Sequence, residues 1–447
     1  MNSYKTHLKE TFKLAYPVAI GQLGHIMLGI TDSIMVGKVG AVSLAASSLV
    51  NGLVFLIVVF GLGMTLAITP LVSIARGREQ YDQCGVILRQ ALLVNSVFTI
   101  FLFGLLYVLA DLIFYLNQEQ EVAIQAVSYT KIIAFSIIPF MIFQTYRQFI
   151  EGLSFTKPAM YVTVAANLVN VFGNWVFIFG NLGFDAYGLD GAGYSTLITR
   201  GAMAATMMVY VMTAKRFKGY EPSLKFKNIN WKVIKKLLNV GIPTGFQNFF
   251  EIGAFSFSAV MIGWLGSAQL AAHQVALSLA AISFMIVLGI SSAGTIRVGH
   301  AYGKGSIMEV RRSGFLTTVF AGTVMAVFGI CFIVFRDFLP RIFISEKEVV
   351  EIASSLLVVA AFFQISDGSQ AAGLGILRGI TDVKIPMIIT FIAYWVVALP
   401  VGYLLGFVIK LDVVGIWIGL LAGLTTAAIL LNTRFALKTR NLEFSHD

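Results

Sequence analysis

The sequence predicts an all-α integral membrane protein with twelve transmembrane helices in two pseudo-symmetric six-helix lobes. Three observations carry this. Hydrophobic residues make up 57% of the 447-residue chain and charged residues 12%, against roughly 25% charged residues in a soluble domain. Apolar runs near the ~20 residues needed to cross a bilayer recur along the whole length. Finally, the two halves repeat one another. Gly37, Gly40, Leu44, Ala45 and Ala46 return as Gly263, Gly266, Leu270, Ala271 and Ala272. The register holds from Pro17/Pro243 through Gly63/Gly289 to Gly77/Gly303 and Asp111/Asp337. It then slips by one residue, pairing Glu119 with Glu346, Glu121 with Glu348 and Gly152 with Gly379.

The expected spans follow in order. Leu14–Val36 comes after Lys5, Lys9 and Lys13, holds Pro17, and carries Asp32 toward its outer end. Val50–Ile74 includes Pro70, Ala91–Ala110 is nearly featureless, and Tyr129–Phe149 is interrupted by Pro139. Ala159–Leu182 carries Asn167, Asn170 and Asn174, and Gly191–Met212 carries Arg200. The second half opens with Leu238–Leu265, which holds Pro243 and, near its middle, Glu251. Ala268–Gly294 carries His273 and Gln274, Gly314–Phe335 holds Cys331, and Ile352–Leu377 carries Asp367. Ile385–Ile409, with Pro400, and Val413–Leu431 complete six spans per half. Prolines inside spans kink helices, and the equivalence of Pro17 and Pro243 suggests bending of the first and seventh. Frequent glycine suits closely approaching membrane helices.

An even number of spans per repeat gives both halves the same orientation, as parallel repeats have. Lys and Arg in short loops set that orientation. Arg76, Arg78, Arg89, Lys157, Arg311, Arg312, Lys384, Arg434, Lys438 and Arg440 share one side with the N-terminus. The other side is comparatively acidic, with Asp111, Glu119, Glu121, Asp185, Asp190, Glu346 and Glu348. Both termini are therefore expected in the cytoplasm. The domains are read as 1–214, a basic linker 215–236 rich in lysine, and 237–447. The linker's charge is read as topology, with an anionic-lipid site as the other possibility. The net charge of +10 lies in alternate loops without the aromatic-basic surface that nucleic acid requires. Cys84 and Cys331 have no metal or disulfide spacing, and no cofactor is expected. No cleavable signal or lipidation motif is read at the ends. No Walker loop, HExxH or GxSxG is present, so enzyme chemistry is not expected.

Ionisable residues inside spans cost about 2.5–3.5 kcal/mol each even on a lenient scale, so function is sought there. Asp32, Glu251, Asp367 and Arg200 qualify. A carboxyl in low dielectric favours its neutral form. It can take up a proton on one side and release it on the other, or attract Na⁺ or an organic cation when ionised. Proton and cation then compete for one charge, the minimum an antiporter needs. Duplicated halves of this kind mark secondary transporters, whose site lies between the repeats. Asn170 and Asn174, four apart, stack on one helical face and are placed to hold Asp32; interhelical hydrogen bonding is their plainer role. Arg200 reads as a structural counter-ion or snorkelling charge, with gating as the other role. His25 and His273 are expected to be packed, satisfied imidazoles.

The chain resembles the multidrug and toxic compound extrusion family, and is most similar to its NorM branch, over nearly its whole length. The resemblance rests on the twelve-span duplication, Pro17, the stretch Asp32–Ala46, and the stretches Ala271–Ser278 and Gly294–Gly305. It implies export of cationic amphipathic drugs in exchange for H⁺ or Na⁺ by a bacterial inner-membrane protein, expected to be a monomer among membrane lipids. Asp32 with Asn170 and Asn174 would form an N-lobe site. Glu251 and Asp367 would form a C-lobe cation site, able to take Na⁺, with Gln274 and Glu346 near the substrate path. NorM relatives that bind Na⁺ can carry Tyr one turn before the tenth-span acid; here it is Phe363, which tilts the expectation toward H⁺. A lipid-linked oligosaccharide flippase of the same superfamily is the alternative, though its cavity is expected to be basic. A membrane scaffold or receptor is another, though it has no need of costly intramembrane acids.

Overall fold

The computed structural model describes residues 4–116, 118–224 and 229–440. Lys225 and Lys227 of the basic linker lie outside them. All the regular elements described are helical, and the spanning helices fall into two sets of six. In the first half these are α1 Tyr4–Gly37, α2 Ala41–Gly77, α3 Tyr81–Leu109, α4 Gln120–Gly152, α5 Lys157–Phe177 and α6 Gly188–Thr213. In the second they are α7 Trp231–Gly263, α8 Ser267–Gly303, α9 Ile307–Val334, α10 Lys347–Gly379, α11 Lys384–Val408 and α12 Asp412–Arg440. The duplication reaches the helix ends: α1 and α7 stop at the paired Gly37 and Gly263, and α4 and α10 stop at Gly152 and Gly379.

Ten of the twelve are long and apolar enough to cross a membrane by composition alone. The exceptions, α6 and α7, carry Ser195, Thr196, Thr199 and Arg200, and Gln247, Asn248 and Glu251. The polar residues that weaken their hydropathy are in large part those from which the candidate site is built. In α11, Ile392–Ala398 and Leu404–Val408 are wound as π-helix, a form that concentrates at functional positions because it re-aims side chains.

The helices gather into two compact units. One comprises Ile20–Gly245; the other comprises Met1–Ala19 and Phe246–Asp447. Both dividing points lie inside helices, in α1 and α7, two residues beyond Pro17 and Pro243. Each proline lacks the N–H that would bond the carbonyl four residues back, so each helix loses a backbone hydrogen bond in the turn before its dividing point.

Within each unit the shared helix is seated on small residues. In the first unit a side chain at Gly63 of α2 would run into the Gly245 backbone of α7. In the second, a Cβ at Gly289 of α8 would come 2.6 Å from the Ala15 carbonyl and 2.8 Å from the Ala19 nitrogen of α1. Such contacts let membrane helix backbones approach closely and gain packing where lipid offers no hydrophobic drive. Arg297 of α8 secures the start of α1: it donates to His7 O (2.8 Å) and Thr11 Oγ1 (2.6 Å), contacts the His7 ring, and pairs with Glu10 at 3.2 Å. The apolar cores are separate. Val50, Ala126, Ile137 and Ala192 centre one, and Ala254, Ala353, Leu357 and Trp417 centre another.

Candidate functional site

In the Ile20–Gly245 unit, Asp32 stands half-buried on α1. Asn174, fully buried on α5, donates its amide to Asp32 Oδ1 at 2.7 Å. Thr196 of α6 donates to Oδ2 at 3.3 Å. Asn170, one turn before Asn174, accepts from the same amide at 3.3 Å, and its main-chain carbonyl accepts Ser195 Oγ at 3.0 Å. Asn167, one position before the next turn, donates to Gly24 O at 3.1 Å and fixes α1 against α5. Helical spacing in α5 therefore supplies both the clamp and the ligands. Asn174 Oδ1 is buried without a partner, leaving an amide carbonyl able to face a cation beside Asp32.

Arg200 lies on α6 one turn beyond Thr196, half-buried. Its Nη1 donates to Ser136 Oγ on α4 at 2.7 Å, and its guanidinium lies 4.7 Å from the centroid of the Phe140 ring. Against the other surroundings of that ring stands His25 of α1, in edge contact with Phe140 and Phe143 at 5.9 and 6.1 Å. His25 Nε2 is buried without a partner, so the imidazole is packed as expected but not satisfied.

In the other unit Glu251 of α7 is half-buried and accepts the Tyr394 hydroxyl of α11 at 3.2 Å. Trp395 donates to the Phe250 carbonyl at 3.0 Å, so the π-helical stretch of α11 is pinned to α7 beside Glu251. Asp367, buried on α10, lies near enough to feel the charge of Glu251. Gln370, in the next turn of α10, is fully buried, and neither atom of its amide has a hydrogen-bond partner. Arg378, two turns further, is buried and also within electrostatic reach of Glu251. Phe363 is buried among aromatic rings, with centroids 6.0 Å from Phe255 and 5.7 Å from Trp417. Position 363 offers no hydroxyl; the one that reaches Glu251 comes from Tyr394 of α11.

The two lobes are not chemical copies. In the repeat register His25 stands where Glu251 does, and Phe140 where Asp367 does. One lobe holds two carboxylates; the other offers an imidazole and a phenyl ring there, and its acid, Asp32, lies two turns along α1.

The two residues expected near the substrate path are both exposed. Gln274 is exposed on α8. Glu346 is exposed at the start of α10, about 30 Å along the helix from Asp367 at 1.5 Å per residue. His273 accepts Trp417 Nε1 at 3.1 Å while its Nε2 has no partner. Tyr394, Thr196, Ser136 and Gln370 were missed, because neutral polar residues in spans are common and nothing in their spacing singles them out. The buried pair Arg147–Glu151 on α4, 2.7 Å apart, was missed too, although opposite charges four apart are a readable signal.

A family model described as MatE matches residues 17–176 and 243–404, one stretch in each half. The chain belongs to the MatE family. It is 35% identical over 455 residues to "Probable multidrug resistance protein NorM" of Mesorhizobium japonicum, covering 100% of this chain and 97% of that one. It is 33% identical over 442 residues to "Multidrug resistance protein MdtK" of Yersinia pseudotuberculosis, covering 97% and 96%. Its fold is that of the Vibrio cholerae MATE transporter VcmN, with a TM-score of 0.90, 18% identity and 99% of each chain covered. A multi-pass membrane protein of the MatE family is therefore at hand, built on twelve helices in two six-helix lobes.

Proposed function

We propose that the protein is a multidrug efflux transporter of the bacterial cytoplasmic membrane, exchanging cationic amphipathic compounds for H⁺, Na⁺ or both. The observation that carries this reading is Asp32: a carboxylate inside a spanning helix, oriented by Asn174 and Thr196, with an open amide carbonyl beside it. A membrane protein does not keep such a charge without a use for it. The family and the multidrug resistance proteins it resembles support the same direction.

In the C-lobe, Glu251 and Asp367 resist simultaneous ionisation because each feels the other's charge. One proton or one Na⁺ resolves that conflict. Tyr394 fixes the orientation of Glu251, and the unpartnered, buried Gln370 amide offers a further polar group. In the N-lobe, Asp32 binds the organic cation or a proton, one at a time. Loading one lobe and unloading the other gives each ion a separate foothold, and Pro17 and Pro243 are the bends about which access alternates. The two acidic groups favour cationic cargo over the pyrophosphate of a lipid-linked sugar. Lys and Arg in the short loops support cytoplasmic termini, and the protein works as a monomer among lipids.

Expression in a pump-deficient bacterial host should lower ethidium accumulation, and Asp32→Asn should restore it. Unchanged accumulation of several cationic dyes, with the protein verified in the membrane, would overturn this reading.

A further inference from the structure

An arginine inside a membrane lobe requires an explanation, and Arg200 has an unusual one. Its partners are neutral. Ser136 accepts one N–H at 2.7 Å, and the Phe140 face lies 4.7 Å from the guanidinium. Among the described residues Arg200 forms no ion pair, although Asp32 is within electrostatic reach. Thr196, which bonds Asp32 at 3.3 Å, lies one turn away on the same face of α6. The guanidinium is thus held on the turn of α6 next to the residue that bonds the acid, by contacts that are individually weak. A cation–π contact contributes about 0.5–2 kcal/mol, and a hydrogen bond to a neutral hydroxyl is easily exchanged.

Phe140 is central to this. In the repeat register it occupies the place of Asp367, where the other lobe has a carboxylate. An acid at position 140 would capture Arg200 in a fixed ion pair. A phenyl ring instead gives it a seat without a countercharge, leaving the one positive charge of the α6 segment available to the nearby Asp32. The long arginine side chain spans several ångströms by rotamer change alone.

We propose that Arg200 is the resident counter-ion of the N-lobe site: it balances Asp32 when no exported cation is bound and is displaced when one arrives. It thereby sets how tightly that site holds organic cations, making it a specificity-determining residue rather than a structural one. This rests on the reading of Asp32 as a cation site. It accounts for the seat on Phe140, which the bound-cation state requires and a fixed structural ion pair does not. Removing a guanidinium that competes for Asp32 through a charge-assisted hydrogen bond changes cation affinity on the order of tenfold.

The test is equilibrium binding of tetraphenylphosphonium and ethidium to the purified full-length protein in nanodiscs, with thermal unfolding checked for each variant. Arg200→Gln should tighten binding of both probes on the order of tenfold. Phe140→Leu, which removes the seat and releases the arginine toward Asp32, should weaken it. With Asp32→Asn in the background, Arg200→Gln should change affinity less than twofold, since the competition has lost its object. Unchanged or weaker binding in folded Arg200→Gln overturns the proposal and leaves the export reading standing, as does tightening that persists without Asp32. If Arg200→Gln does not fold, Phe140→Leu decides: unchanged or tighter binding overturns the proposal. Wild-type protein that binds neither probe overturns the cation-site reading and this proposal with it.

Discussion

Arg147 and Glu151 form an ion pair inside α4, at 2.7 Å, with side chains only 2% and 1% exposed. Arg147 also reaches Gln22 of α1 at 3.5 Å. α4 carries Ser136 and Phe140, and α1 carries Asp32, so this pair braces two of the helices that frame the N-lobe site. Removing one partner strands a charge in low dielectric. For Glu151→Leu the cost is about 3–5 kcal/mol, the range for breaking a buried pair. In a lobe of some two hundred residues that lowers the melting temperature by roughly 10 °C. Removing both charges is different, since neither is left uncompensated. Arg147→Met combined with Glu151→Leu should fall within about 1–2 kcal/mol of the wild type. Thermal unfolding of the purified protein in detergent, followed by tryptophan fluorescence, reads both variants. A single mutant as stable as wild type, or a double mutant at least as damaged as the single, would refute the stranded-charge argument.

Three further outcomes are expected. Tyr394→Phe keeps the buried ring and removes the hydroxyl that bonds Glu251; ion-driven dye efflux should fall about tenfold, the effect of ~1.5 kcal/mol from one hydrogen bond to a charged group, with melting shifted little. Gly289→Val drives side-chain atoms into the Ala15 and Ala19 backbone of α1, and the overpacking should cost about 1–3 kcal/mol in thermal unfolding. Asn174→Leu removes the shortest bond to Asp32; export of cationic dyes in cells should drop several-fold while the protein still reaches the membrane, and wild-type export would contradict the role given to Asn174.

The duplication was legible in the sequence, and the paired glycines Gly37/Gly263 and Gly152/Gly379 close matching helices, though the expected spans stop up to three residues away. Asp32, Glu251 and Asp367 were legible because charge in a span is rare. Their surroundings were not. Tyr394, which bonds Glu251, lies in the π-helical stretch of α11, which no hydropathy pattern reports. Arg200 was visible as a charge, yet its seat on Phe140 and Ser136 depends on how α4 and α6 pack. The passage of α1 and α7 from one compact unit to the other is equally a matter of packing; the sequence shows only the two prolines that precede it.

The most direct test of cation-coupled exchange is dye efflux from proteoliposomes driven in turn by a proton gradient and by a Na⁺ gradient. Wild type should respond to at least one. Glu251→Gln and Asp367→Asn, each close in shape to the native residue, should abolish that response while the proteins insert and melt as wild type does. Wild-type gradient-driven efflux in both variants would contradict the assignment of the coupling site to Glu251 and Asp367.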